Sequence, residues 1–270
     1  MTDIDFRKTW LKNKSSKKSN NFGLNYLIMG VKYFLSKLVL LIIRFIPSGT
    51  PVPVLKGPLR KFKWIAGAYP GSGKGLSVIF NSYEPEIVNA ALKFMNKNII
   101  CFDIGANVGL HTLLFAKYSK FVYAFEPIPR NIKYLYETIQ LNKIKNVLIV
   151  PCAISNSKEI KWMDTPKKEA SFKLVEKGNY LTLTISLDEF IEKSNVSPRI
   201  IKIDVEGAEY LVLKGGRNFL FKYKPIILLS THSKELKHKC FNLLKKLNYQ
   251  NFFPLNAITL ERAYEFLIKP

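Results

Sequence analysis

The sequence predicts an α/β protein: an open, mostly parallel sheet with helices on both faces, preceded by a separate N-terminal amphipathic helix. Short apolar runs at 99–102, 121–125, 147–150, 199–203 and 225–230 alternate with segments of helical period, the pattern of strands joined by crossover helices. The first run ends in Asp103-Ile104-Gly105-Ala106-Asn107-Val108-Gly109 and continues into apolar residues at helical spacing. A strand that ends in a glycine turn and opens a helix sets backbone N–H groups at the carboxyl edge of a parallel sheet, where open α/β folds bind ligands. The length of 270 residues, 47% of them hydrophobic, suffices for one such domain and an extension.

The charge is unusual. Lys and Arg number 42 against 20 Asp and Glu, a formal +22. That balance suits an anionic partner: membrane lipid, nucleic acid or a phosphorylated substrate. The excess is nearly all Lys, however, which a genome rich in A and T also produces without any function behind it. The three cysteines, Cys101, Cys152 and Cys240, form neither a metal signature nor a disulfide framework. Cys101 and Cys152 read as small core residues, and a reducing, cytoplasmic location is expected.

Residues 1–23 are polar and basic and read as a disordered tail. Residues 24–46 are long enough to span a bilayer, but Lys32, Lys37 and Arg44 interrupt them. At about 100° per residue, these cations share one half of a helix with Asn25, Gly30 and Ser36. Leu27, Val31, Phe34, Leu38, Ile42 and Phe45 lie on the other half. A wide apolar face beside a cationic one suits a helix lying on an anionic membrane, here the inner face of the cell membrane. The alternative is a helix packed on protein. Residues 47–97 read as a linker and an accessory element, and 98–270 as the main domain.

Within the accessory element Leu55, Phe62, Trp64 and Ile65 are expected as apolar anchors. Gly71-Ser72-Gly73-Lys74-Gly75 resembles a phosphate loop. That loop needs a glycine where Ala68 stands and a Ser or Thr where Gly75 stands, so a plain turn is expected. Tyr83-Glu84-Pro85-Glu86 is expected to cap a helix over 87–95. Helices are also expected over 130–142, 187–191 and 209–215. A further helix should carry Leu236, Cys240 and Leu244, and 162–184 should form a hairpin excursion. Last strands are expected near 249–253 and 263–268.

The turn's ligand follows from charge. A dinucleotide turn reads G-x-G-x-x-G, and here Asp103 stands where the first glycine would be. A carboxylate there repels a pyrophosphate and attracts a cation; S-adenosylmethionine carries an ammonium and a sulfonium. Glu126 ends the second strand, seventeen residues past Gly109, where an acid can accept both ribose hydroxyls.

These segments, with Phe125-Glu126-Pro127 and Ile201-Lys202-Ile203-Asp204-Val205-Glu206-Gly207-Ala208-Glu209, resemble the FkbM family of methyltransferases. Tyr83-Glu84 and Asn131 fit the same pattern. The resemblance covers residue 55 to the C-terminus. It implies a class I methyltransferase (Rossmann-like) fold, with a seven-stranded sheet and a reversed final strand. It also implies O-methyl transfer from S-adenosyl-L-methionine to hydroxyls of sugars or natural products. Asp103, Gly105, Ala106, Asn107 and Gly109 then match the cofactor turn and Glu126, Pro127 and Asn131 the ribose segment. Cys152 and Ala153 fall where such folds line the adenine.

Asp204, at the carboxyl end of its strand, is the first candidate for the base that removes the acceptor's proton. Glu206 is a substrate anchor or a metal ligand, and Lys202 either pairs with Asp204 or orients the substrate. His232 is a second base; an acid often stands two residues before it in similar proteins, and here Ser230 stands there, which weakens an acid–His pair. His111 is expected to pack or cap, and His238 to be solvated. No metal is assigned, since Asp204, Glu206 and Glu209 have no local His. The expected acceptor is a small molecule, sugar or lipid-linked glycan. A nucleic-acid methyltransferase is the alternative enzyme, disfavoured by the lack of a base-flipping motif or an aromatic-basic platform. An inactive membrane-anchored binding protein is the third reading.

Overall fold

The computed structural model describes residues 45–68, 75–164 and 173–270. The basic tail, nearly all of the amphipathic helix and most of the glycine-rich 71–75 turn lie outside the described residues. Pro47–Pro270 forms one compact unit. Among the described residues no helix is long and apolar enough to cross a membrane.

The accessory element is an antiparallel hairpin of β1 (Pro51–Pro53) and β2 (Lys63–Ile65), then helices α1 (Leu76–Ile79) and α2 (Pro85–Leu92). Val54, Trp64 and Ile65 are buried against Val108 and Leu113. Leu55 is 49% exposed and is no anchor: neighbouring residues of an extended chain face opposite ways, and Val54 takes the inward position. Glu84 precedes α2 but makes no side-chain cap bond. Pro85, with its fixed φ, starts the helix instead.

The main sheet begins with β3 (Ile100–Ile104), α3 (Leu110–Tyr118), β4 (Phe121–Phe125), α4 (Pro129–Leu141) and β5 (Val147–Val150). The excursion that follows is a separate four-stranded sheet of β6 (Ala153–Ser155), β7 (Glu159–Asp164), β8 (Lys173–Val175) and β9 (Tyr180–Ser186). The chain then returns through α5 (Leu187–Ser194), β10 (Ile200–Ile203), α6 (Glu209–Gly215), α7 (Arg217–Tyr223) and β11 (Ile226–Ser230). It ends with α8 (Lys234–Lys246), β12 (Asn251–Pro254) and β13 (Glu265–Lys269).

The seven-stranded sheet has the order β12-β13-β11-β10-β3-β4-β5, and β13 is antiparallel to both neighbours. The other pairs are parallel. Strand alternation sends Phe102 and Ile104 into one core with Leu213, Leu220 and Leu244, while Cys101 joins Ile87, Leu114 and Phe115 in the other. Burial on both faces is why β10 and β11 read as apolar runs, β10 interrupted only at Lys202 and β11 closing on Ser230.

Helix α7 is absent from the sequence reading because Gly215-Gly216 looks like a stop. Both glycines serve close approach instead: a Cβ on Gly215 would meet the Ser155 carbonyl oxygen at 2.1 Å, and one on Gly216 the Leu187 side chain at 2.8 Å. Asp188 of α5 caps α7, accepting N–H bonds from Asn218 (3.1 Å) and Phe219 (2.8 Å).

Candidate functional site

The β3–α3 turn is tied to the end of β4. The N–H groups of Gly105 and Ala106 both donate to the Phe125 carbonyl at 3.0 Å, and that of Asn107 donates to Glu126 Oε2 at 2.7 Å. Glycine is required at the turn's first corner. Gly105 has φ +82°, and a Cβ there would lie 1.9 Å from the Asp204 carbonyl oxygen. The turn and the Asp204 segment are therefore in backbone contact.

Glu126 is almost fully buried. Its Oε1 accepts from the Ile128 N–H (3.0 Å) and Asn131 Nδ2 (3.2 Å). Burial pushes its carboxyl up to about 7, against the opposing pull of the bonds from Ile128, Asn107 and Asn131. Asn131, expected beside the ribose, thus orients the Glu126 carboxyl.

A cleft of about 1000 Å³, open solvent included, runs along the carboxyl edge of the sheet. Residues 105–109, Glu126, Pro127 and Asn131 line one stretch; Cys152, Ala153 and Ile154 line the next; Lys202, Asp204 and Glu206 follow. This set fits an adenosyl group. Asn107 Oδ1 lines the cleft as a buried acceptor with no partner among the described residues, beside the Glu126 acceptors, and both suit ribose hydroxyl donors. The small and apolar residues 152–154 suit a purine.

Asp103 requires a correction. It is fully buried and is not among the residues that line the cleft. Its Oδ2 accepts from Thr112 Oγ1 at 2.6 Å, so its short side chain is held under α3. Lys202 pairs with it in register on β10 and is long enough to reach the cleft wall. Asp103 therefore supplies charge behind Lys202, with its Oδ1 buried and without a hydrogen-bond partner among the described residues. Burial raises its carboxyl, partly offset by Lys202.

At the far wall Lys202 Nζ donates to Asp204 Oδ2 at 3.0 Å. Burial would lower the Lys202 ammonium, but Asp204, Asp103 and Glu84 together hold it above the ordinary lysine range. His232 Nε2 lies 3.6 Å from Asp204 Oδ1 and 3.2 Å from Glu206 Oε2, and its Nδ1 2.9 Å from Glu209 Oε1. The acid–His pair weakened by Ser230 is thus supplied by α6. Glu209 is itself fixed, accepting from the Gly207 N–H at 3.0 Å and the Val205 N–H at 3.3 Å. Burial lowers His232, yet the bond to Glu209 and the charges of Glu209, Asp204 and Glu206 outweigh it and raise the imidazole above its ordinary value.

The fold also brings a His to the acids that lacked one in sequence. One ligand atom each from Asp204, Glu206 and His232 lies within 4.8 Å of the others. His238 is exposed. His111, in contrast, is buried, lines the cleft, and places Nε2 3.4 Å from Glu84 Oε2. Glu84, which fits the family pattern in sequence but carries no site role there, also lines the cleft. Its place before Pro85 reads as a helix cap, and nothing local reports that it points into the cleft.

A seven-stranded sheet of this order with one reversed strand, and a glycine turn facing an acid at the end of the next strand, define the class I methyltransferase fold. Residues 103–252, over half of the chain, match the model of the Methyltransferase FkbM domain, and the protein belongs to that family. S-adenosyl-L-methionine is the cofactor of such proteins. The chain is 30% identical over 147 residues to the hexuronic acid methyltransferase AglP of Haloferax volcanii, covering 54% of this chain and 61% of AglP. It is 46% identical over 55 residues to a tRNA(Phe) (4-demethylwyosine(37)-C(7)) aminocarboxypropyltransferase of Methanocaldococcus jannaschii, covering 20% of this chain and 22% of that one. The chain thus spans less than two thirds of these curated relatives. Among solved structures, the FkbM methyltransferase of Methylobacillus flagellatus superposes with a TM-score of 0.50 at 18% identity, covering 76% of this chain and 56% of that one.

Proposed function

We propose that the protein transfers a methyl group from S-adenosyl-L-methionine to a hydroxyl of a sugar or glycan. The observation that carries this reading is the placement of Asp204. It lines the same cleft as the glycine turn and the ribose acid, with Oδ2 held by Lys202 and Oδ1 facing His232.

Glu126, Asn107 and residues 152–154 would hold the cofactor's adenosyl portion. When bound, the cofactor supplies a methyl group activated on a sulfonium. Asp204 Oδ1 takes the acceptor's hydroxyl proton as that oxygen becomes a nucleophile. Lys202 fixes the carboxyl's rotamer, since rotating it would strand a buried ammonium. His232 passes the proton on toward Glu206, and Glu209 holds the imidazole in register through Nδ1. The likeness to a hexuronic acid methyltransferase supports a saccharide acceptor. The cationic, amphipathic sequence of 24–46 supports a membrane-borne one, such as a lipid-linked glycan presented at the cytoplasmic face.

The test is transfer of radiolabelled methyl from the cofactor to hexuronate-containing glycans by the full chain. Incorporation into saccharide, lost in Asp204→Asn by at least about a hundredfold, the low end for a proton-transfer group, is the expected result. Incorporation into tRNA and not into saccharide would replace the acceptor class. Full activity of Asp204→Asn would overturn the role of Asp204.

A further inference from the structure

Glu84 belongs to the accessory element, outside the family-matched residues 103–252, yet it lines the cleft. Its backbone is in the left-handed region, φ 43° and ψ 49°, a costly conformation for a residue with a Cβ. It makes no side-chain cap for α2. Its side chain is 17% exposed, and Oε2 is buried without a hydrogen-bond partner among the described residues.

The charge around it does not balance. His111 Nε2 is 3.4 Å from Oε2, but burial and the charge of Lys202 both lower that imidazole's proton affinity. Lys202 is the cation whose charge Glu84 feels. Its ammonium is already bonded to Asp204 and stands in register with Asp103. Three carboxyl groups therefore share one buried ammonium, in a chain whose formal charge is +22. A buried acid lacking its own counter-charge points to a ligand that brings one.

The turn fixes where that ligand group lies. At Asn107 the turn is bonded to Glu126; four residues later His111, in the first turn of α3, lies beside Glu84. Glu126 marks the ribose end of the cleft. Glu84 marks the other end of the turn, past the adenosine.

We propose that Glu84, backed by His111, holds the ammonium of the cofactor's amino-acid end, the role expected of Asp103. This rests on the cofactor reading above. It makes the accessory element part of the binding site and gives the acid before Pro85 a reason to accept a left-handed backbone.

The experiment is calorimetry on the full chain with two probes. S-adenosylhomocysteine carries the amino-acid end; methylthioadenosine keeps the adenosine and thioether and lacks it. For Glu84→Gln the expected result is a loss of about tenfold or more in S-adenosylhomocysteine affinity, the value of one charge-assisted hydrogen bond, with methylthioadenosine affinity unchanged. Equal losses for both probes, or none for either, would overturn the assignment of Glu84 alone. Wild-type protein that binds neither probe would overturn the cofactor reading and this inference with it. Glu84→Asp keeps the charge but shortens its reach. It is expected to show the same selective loss, and supplies the readout should the Gln variant fail to fold.

Discussion

Glu126 offers the sharpest test of the cofactor site, because burial and ligand binding pull its proton in opposite directions. Its ordinary pKa is 4.5, and burial pushes it up to about 7. A carboxyl whose folded pKa is raised contributes stability that is fully present below the unfolded value and is lost as pH rises through the folded one. The free protein should therefore lose about 3 kcal/mol from this group between pH 4.5 and 7. Ribose hydroxyls donate to the ionised form, so cofactor affinity should move the other way. With a pKa of about 7, roughly nine-tenths of Glu126 is ionised at pH 8 and one-tenth at pH 6, which predicts about tenfold weaker binding at the lower pH. Glu126→Gln removes this titration. Its amide nitrogen must also face one of three donors, the N–H of Asn107 or Ile128 or the Asn131 amide, costing about 1–3 kcal/mol. Calorimetric titration of S-adenosylhomocysteine into both proteins from pH 6 to 8 reads the difference in slope. Parallel profiles for wild type and Glu126→Gln would refute the ribose assignment.

Other perturbations test the frame around that acid. Gly105→Ala would drive a Cβ into the Asp204 carbonyl, 1.9 Å away, and should cost more than about 2 kcal/mol; a melting temperature within about 1 °C of wild type would show that the two backbones can part. Lys202→Met leaves Asp103, Glu84 and Asp204 without their shared cation and should destabilise by about 3–5 kcal/mol. Because the Asp103 and Glu84 carboxyls are already raised by burial, that deficit should grow from pH 5 to pH 8 in urea titrations, and a pH-independent deficit would contradict the charge-sharing argument. Removal of divalent metal with EDTA should leave methyl transfer unchanged, since Lys202 and His232 already face Asp204 and Glu206; loss of activity restored by Mn²⁺ would make the triad a metal site. Flotation on anionic liposomes should be lost when residues 1–46 are removed, and equal flotation with and without them would reject the membrane-surface placement.

What the sequence reveals here divides along the distance between cooperating residues. Strands β3, β10 and β11 are legible because each is buried on both faces, and that burial writes apolar residues into adjacent positions, broken only at Asp103, Lys202 and Ser230. The glycine turn is legible for the same reason: Gly105 and Gly109 lie within one short loop, and their positive φ values restrict those positions directly. Glu126 sits at a strand end and could be placed from the turn by counting. The other half of the site is built from pairs that no local pattern joins. His232 meets Glu209 across 23 residues, so an acid missing at Ser230 says nothing about whether the imidazole has a partner. Asp188 caps α7 from 30 residues away, so a helix without its own cap residue leaves no signature. Asp103 and Glu84 show the limit most clearly. A motif fixes that an acid stands at the end of β3, but not that Thr112 draws its carboxyl under α3 while Lys202, from the neighbouring strand, comes to the wall. The negative charge that the motif places at the end of β3 is delivered to the ligand instead by an acid from a different element. A site of this class is better described by the total charge its elements bring to the cleft than by any one position in the turn. For that reason the Glu84 and Lys202 variants, more than changes in the glycine loop, measure how this chain recognises a cation.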